Sequence, residues 1–110
     1  MNGYSQLTAH EVVDGLKNES FRIEDYIGSI FDRIEKIEPK IRSFITIDKE
    51  NAIESSKIID NKIRSGDKLG KLAGVIIGVK DNICTEGLRT TCGSLMLKDY
   101  VPPFDATVIK

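Results

Sequence analysis

The 110 residues suffice for one domain with its own hydrophobic core and are too few for two. With 40% apolar and 30% charged residues, the composition is that of a globular protein and excludes global disorder. The sequence predicts a cytoplasmic protein with no membrane attachment. Its net charge is −1, it has no apolar run near the ~20 residues that span a bilayer, and its N-terminus lacks a secretory pattern.

Two helices are predicted in the first forty residues. The first spans about 8–18, because Thr8 begins a capping box ahead of an apolar helix side. The second spans about 22–38, with Ser20 as its expected cap and Pro39 as its expected end. Its apolar residues recur at spacings of three and four, so this face either packs on the protein's own core or docks on a partner.

A third helix and two strands complete the predicted fold. The helix spans about 49–65, capped by Asp48 and closed by Gly66 in the left-handed conformation. The strands span about 43–47 and 74–80, and the second, a β-branched run between glycines, is predicted to be buried on both faces. The predicted class is therefore α/β, with helices packed on a mixed β-sheet that is incomplete in this chain.

The last residues predict a short helical turn at 95–97 and a helix start at 106–110, with Asp105 as its cap. An element that begins where the sequence stops is typical of a fragment. The two cysteines and the single histidine have no spacing that fits a metal site, so no metal is predicted.

The main candidate for chemistry is Lys80, which follows the predicted buried strand. Burial disfavours an ammonium ion, and a neutral amine can act as a base or a nucleophile. The residue pattern leaves three interpretations open: an exit of the strand to solvent, a Schiff-base lysine, or the base behind a serine or threonine nucleophile. Asp81 and Asn82 are expected to bond to local main chain.

The segment from Leu72 to Ser94, L-A-G-V-I-I-G-V-K-D-N-I-C-T-E-G-L-R-T-T-C-G-S, with the following Y-V-P-P-F-D-A-T-V-I-K, resembles the amidase signature family. Within it, the similarity is greatest to the A subunits of glutamyl-tRNA(Gln) amidotransferases. Gly93 is a small departure from the family pattern, because relatives often carry alanine at this position. The resemblance implies that residues 1–110 are the N-terminal portion of a single amidase domain.

The resemblance also implies a site and a reaction. Lys80 matches the lysine of a Ser–cis-Ser–Lys triad, in which it relays charge as the general base while a serine attacks the amide of glutamine and releases ammonia. Both serines of such a triad lie downstream of the positions present here. The chain alone is therefore expected to be inactive.

The same resemblance implies the wider enzyme, a carbon–nitrogen ligase with glutamine as amido donor. Expected partners are the B and C subunits of the amidotransferase, glutamine, and Glu-tRNA(Gln), which the complex converts to Gln-tRNA(Gln). No cofactor is expected in the glutaminase subunit itself; ATP and Mg are used by the B subunit. Two alternatives remain: an amidase-signature hydrolase of another amide, and a non-catalytic assembly module.

Overall fold

The computed structural model describes residues 3–110, which form two compact units. The first comprises residues 3–44 and 48–76, and the second comprises residues 45–47 and 77–110.

Three α-helices form among the described residues of the first unit: α1, Ala9–Lys17; α2, Ile23–Ile41; and α3, Lys49–Arg64. A short 3-10 turn, Gly3–Gln6, precedes them and packs against α2, which also packs against α3. The three predicted helices are therefore present, with ends that differ from the predicted ones by at most three residues.

The start of α1 is the capping box that the sequence predicts. The Glu11 main-chain N–H donates to the Thr8 hydroxyl at 3.3 Å, and the Thr8 main-chain N–H donates to the Glu11 carboxylate at 2.8 Å. These bonds satisfy donors that a helix start otherwise leaves unpaired. Because the Thr8 main chain and hydroxyl both bond to the charged form, the pKa of Glu11 is lowered.

The predicted cap residue and the predicted last residue of α2 are wrong, whereas its start is within one residue of the predicted one. Arg22, not Ser20, is the cap residue, and it makes no side-chain capping bond. At the other end the helix continues through Pro39 to Ile41. A proline in a last turn removes only one late N–H bond. Just beyond the helix, the Phe44 main-chain N–H donates to the Glu38 carboxylate at 2.6 Å.

The helix α3 ends, as predicted, at Gly66 in the left-handed conformation. Gly66 has φ +72°, its N–H donates to the Ile63 carbonyl at 3.1 Å, and the Asp67 N–H donates to the Lys62 carbonyl at 2.9 Å. This pair of bonds is the Schellman arrangement. At the other end Asp48 occupies the cap position, but its carboxylate accepts from the Asn51 side chain instead of from the helix main chain.

The core of the first unit lies between α1 and α2. Leu16 is fully buried, and α3 and the segment around Ile76 add partly buried side chains. The buried cluster consists of Val12, Leu16, Ile23, Tyr26, Ile27 and Phe31. The apolar face of α2 is therefore used by the unit's own core.

The second unit is built from loops. Its regular elements among the described residues are a 3-10 turn at Leu95–Leu97 and one isolated antiparallel bridge between Thr85 and Leu88. Arg89 links separate segments, since its guanidinium donates to the Lys98 carbonyl at 2.9 Å and to the Ile45 carbonyl at 3.4 Å.

Neither predicted strand forms among residues 3–110, so the predicted mixed sheet is not seen. A strand needs a neighbour for its N–H and C=O groups, and the stretches at 43–47 and 74–80 do not pair. Burial on both faces is also wrong here, because Ile77 is 63% exposed and Val79 is 38% exposed.

The predicted helix start at 106–110 is a single turn, in which the Ile109 N–H donates a hydrogen bond to the Ala106 carbonyl at 2.9 Å. Asp105 does not cap it; its carboxylate accepts from the Glu86 main chain at 2.7 Å. Among the helices of residues 3–110, none has the length and apolar character needed to cross a membrane.

Candidate active site

Lys80 lies at the start of a tight turn in the second unit. Its carbonyl accepts from the Ile83 N–H at 3.0 Å, which closes the turn over Asp81 and Asn82. The Lys80 side chain is exposed, and no hydrogen bond or ion pair joins it to any of residues 3–110. The main chain is therefore the part of Lys80 that hydrogen bonds hold in place.

Asp81 holds that main chain to the loop formed by residues 91–93, through a set of hydrogen bonds that we call the Asp81 clasp. The Thr91 N–H donates to Asp81 Oδ1 at 2.9 Å. The Thr91 hydroxyl donates to Oδ2, and the Gly93 N–H donates to the same oxygen at 3.2 Å. The Cys92 N–H completes the clasp by donating to the Asp81 carbonyl at 2.9 Å.

The loop adopts an unusual backbone to present these donors. Cys92 has φ +52° and Gly93 has φ +65°, so two successive residues lie in the left-handed region. For Cys92 this conformation costs about 1–2 kcal/mol. Main-chain N–H groups that converge in this way form a concave anion site, and here the Asp81 carboxylate occupies it.

The electrostatics of the clasp favour an ionised carboxylate. The hydrogen bonds from the Thr91 hydroxyl and main chain lower the pKa of Asp81, with smaller contributions in the same direction from the Gly93 N–H and the Arg89 guanidinium. Thr91 is only 4% exposed, so its side of the clasp is shielded from water. Shielding makes these bonds harder to exchange for bonds to solvent.

No grouping of metal-ligating side chains occurs in the described part of the chain. Cys84 and Cys92 are free thiols. The residues around Lys80 therefore offer an amine, a carboxylate held by its neighbours, and hydroxyl groups.

The sequence pattern marks the amine and the carboxylate but misses the Thr91 hydroxyl. It points to Lys80 as the candidate amine. Asp81 does bond to main chain, but at Thr91 and Gly93 instead of at the local main chain that the sequence predicts. The pattern gives Thr91 no part in the site. The signal that could have found Thr91 is its place just before Cys92-Gly93, because glycine marks a loop in which N–H groups can converge.

Comparison with known proteins identifies relatives along nearly the whole sequence. A family model described as Amidase matches residues 25–110. The second glutamyl-tRNA(Gln) amidotransferase A subunit of Clostridium acetobutylicum is 45% identical over 104 residues, which are 94% of this chain and 22% of that relative. The corresponding A subunit of Natranaerobius thermophilus is 46% identical over 104 residues, again 94% of this chain and 21% of the relative.

A third relative, the A subunit of the Moorella thermoacetica amidotransferase, is 45% identical over 104 residues, with 94% of this chain and 21% of the relative covered. The chain thus spans about a fifth of the length of these relatives. Because the family model covers well over half of the sequence, including the turn that carries Lys80 and the Asp81 clasp, the chain belongs to the amidase family.

Proposed function

We propose that this chain is the N-terminal part of the glutaminase subunit, the A subunit, of a tRNA-dependent amidotransferase. The observation that carries the proposal is the G-V-K-D-N sequence around Lys80, within a chain 45–46% identical to relatives named as A subunits. In this proposal the enzyme converts Glu-tRNA(Gln) to Gln-tRNA(Gln) with ammonia taken from glutamine.

Lys80 has the role of general base. Its neutral amine takes a proton from a bridging serine, which takes one from the nucleophilic serine as that serine attacks the side-chain amide of glutamine. An acyl-enzyme forms, ammonia leaves, and water then releases glutamate. Lysine suits this role because its amine becomes neutral when water is removed, whereas arginine stays charged.

The two serines come from outside these 110 residues. Ser56 is 3% exposed and donates to the Ile53 carbonyl at 2.7 Å within α3, so it is unsuited to attack a substrate. Ser94 caps the 3-10 turn at Leu95–Leu97 by accepting from the Met96 N–H. We therefore propose that the 110 residues alone do not hydrolyse glutamine.

Further chain has to cover Lys80 before it can serve as a base. In this chain the side chain is exposed, whereas a base requires a neutral amine, which removal of water favours. Exposed apolar residues of the same unit, such as Ile77 at 63%, are suited to packing beneath that cover. Burial by the rest of the enzyme would favour the neutral amine.

The proposal includes the partners that an amidotransferase of several subunits requires, with cytoplasmic localisation. The B subunit uses ATP and Mg to activate Glu-tRNA(Gln) and receives the ammonia, while the C subunit holds the other two together. The glutaminase subunit, to which this chain belongs, takes glutamine as its small-molecule substrate and needs no cofactor of its own.

The alternatives are less well supported. A docking role for the apolar face of α2 would require a free surface, whereas Ile23, Tyr26 and Phe31 are buried in the unit's own core. A hydrolase of another amide keeps the same chemistry. It is separated from the leading proposal by whether Glu-tRNA(Gln) raises ammonia release from glutamine.

The test uses the full-length glutaminase subunit that carries this sequence, in complex with the B and C subunits. Ammonia release from glutamine is measured for the parent, for Lys80→Ala and for Lys98→Ala. Removing a general base and its proton relay is expected to lower kcat by at least about 10³-fold. Lys98→Ala is the matched control, an exposed lysine of the same unit whose side chain makes no hydrogen bond to residues 3–110.

Two results would contradict the proposal. Near-parental turnover by a correctly assembled Lys80→Ala complex would exclude Lys80 as the base. Ammonia release from simple amides but none from glutamine would instead indicate an amidase of another substrate class.

A further inference from the structure

We infer that Asp81 is a positioning residue for Lys80, acting through the Asp81 clasp. The inference rests on the proposed function and extends it, because it assigns a role to a side chain that performs no proton transfer itself. Asp81 fixes the main chain on which Lys80 stands by binding the loop at residues 91–93.

The need for such a residue follows from the isolation of Lys80. Its side chain has no partner within residues 3–110, so hydrogen bonds fix only its main chain, which sets the Cα position and the Cα–Cβ direction from which the amine reaches the site. The lysine amine stands about 6 Å from its Cα, so a main-chain rotation of roughly 10° moves it by about 1 Å. A displacement of about 1 Å can slow a reaction about 100-fold.

The clasp is well suited to prevent that rotation. It joins the residue directly after Lys80 to three consecutive residues of another segment, Thr91, Cys92 and Gly93. The Lys80 carbonyl is held as well, through its bond from the Ile83 N–H at 3.0 Å. Both peptide groups that flank the Asp81 Cα therefore take part in hydrogen bonds.

An ionised aspartate is required, and asparagine cannot replace it. Oδ1 accepts from the Thr91 N–H, while Oδ2 accepts from the Thr91 hydroxyl and the Gly93 N–H. Asparagine has one acceptor oxygen and one NH₂ group. In either orientation its NH₂ faces a main-chain N–H, of Thr91 or of Gly93, so two donors oppose each other.

Thr91 provides a second, independent way to weaken the clasp. Its hydroxyl donates to Asp81 Oδ2, and the residue as a whole is 4% exposed. Thr91→Val keeps the shape and removes the hydroxyl donor, whereas Thr91→Ser keeps the donor and removes a methyl group. A positioning role predicts that the serine variant restores what the valine variant loses.

The experiment measures kcat and KM for glutamine in the full-length enzyme assembled with its B and C subunits. Asp81→Asn is expected to lower kcat about 100-fold with KM changed less than about threefold, because glutamine binding does not use the lysine position. Thr91→Val is expected to lower kcat about 10-fold, and Thr91→Ser to recover most of that loss. Asp99→Asn, an exposed aspartate with no hydrogen bond to residues 3–110, is the matched control.

Assembly of each complex is checked by gel filtration. If Asp81→Asn fails to assemble, the comparison of Thr91→Val with Thr91→Ser decides whether the clasp positions Lys80. The inference is overturned if Asp81→Asn keeps kcat within about threefold of the parent, or if serine and valine at position 91 lower kcat equally. It is also overturned if only KM changes. Each of these results leaves the proposed function standing when Lys80→Ala is inactive, whereas an active Lys80→Ala removes both.

Discussion

Gly74→Ala is expected to be strongly destabilising, because it adds a methyl group at a position with a positive φ that faces the core. Gly74 has φ +79°, a conformation in which any other residue is strained. A Cβ atom added there would lie 2.3 Å from Leu16 Cδ1 and 3.4 Å from Ile23 Cδ1. Since Leu16 is 0% exposed, its side chain has no free space into which it can move.

The magnitude is the sum of two effects. A left-handed conformation at a residue with a Cβ costs about 1–2 kcal/mol. Overpacking a filled core by one methyl group costs about 1–3 kcal/mol. Gly74→Ala should therefore lower the free energy of unfolding by about 2–5 kcal/mol.

Two other glycines separate these effects. Gly66 also has a positive φ, +72°, but a Cβ there would meet nothing within 4 Å, so Gly66→Ala should cost only about 1–2 kcal/mol. Gly28 lies on the exposed side of α2 with open space around it. Gly28→Ala should stabilise by about 0.5–1 kcal/mol through helix propensity.

The assay is urea unfolding of the 110-residue chain, followed by helical circular dichroism at low protein concentration. For a chain of this size the Gly74→Ala midpoint should fall by about 2 M, and the Gly66→Ala midpoint by less than half as much. Equal losses for these two variants would refute the argument, because they would show that contact with Leu16 adds nothing to the conformational cost.

Three further expectations concern other parts of the chain. Thr8→Ala removes the hydroxyl of the capping box and should cost about 1 kcal/mol in the same urea assay; an unchanged midpoint would show that the cap contributes nothing. Hydrogen bonds lower the pKa of Asp81 below its ordinary value of 3.8, so the clasp should stay closed at pH values above 3.8 and open only at lower pH. The chemical shift of the Gly93 amide, which donates to Asp81, should therefore change with a midpoint below pH 3.8. A midpoint at or above pH 3.8 would contradict the clasp. The chain alone should self-associate at micromolar concentration through apolar residues such as Leu95 and Met96, which are 87% and 94% exposed; sedimentation should show less association after both are changed to lysine, and a monodisperse parent would count against this surface.

The helices were predictable because their information is local. Capping at Thr8 and the left-handed Gly66 each involve residues within a few positions, so the sequence pattern suffices. The ends of α2 were less predictable. Whether a helix passes Pro39 depends on how near the proline lies to the helix end, and here the helix ends two residues later, at Ile41.

The strands were not predictable from local pattern alone. A β-branched run such as 75–79 favours an extended conformation, but a sheet also requires a second segment that satisfies its N–H and C=O groups. Among residues 3–110 no segment does so, and Ile77 stays largely exposed. The predicted sheet therefore depended on partners that local periodicity does not specify.

The candidate site, too, was predictable only in part from the sequence. Lys80 is marked by its sequence context, since a lysine after an apolar run is unusual. The Asp81 clasp joins residues ten and twelve positions apart, through a loop whose left-handed conformation at Cys92 no propensity would suggest.

The role proposed for Lys80 as a base requires both a fixed position and the removal of water. In this chain the Lys80 amine is exposed and has no partner among residues 3–110, whereas the turn beneath it is already fixed by Asp81 and Thr91. In the proposed function, orientation and desolvation are therefore separable contributions: the first is built into the hydrogen bonds of the clasp, and the second would come from further chain that excludes water. A clasp formed in advance lets that later burial act on an amine whose position is already constrained, so less ordering remains to be achieved when the site closes.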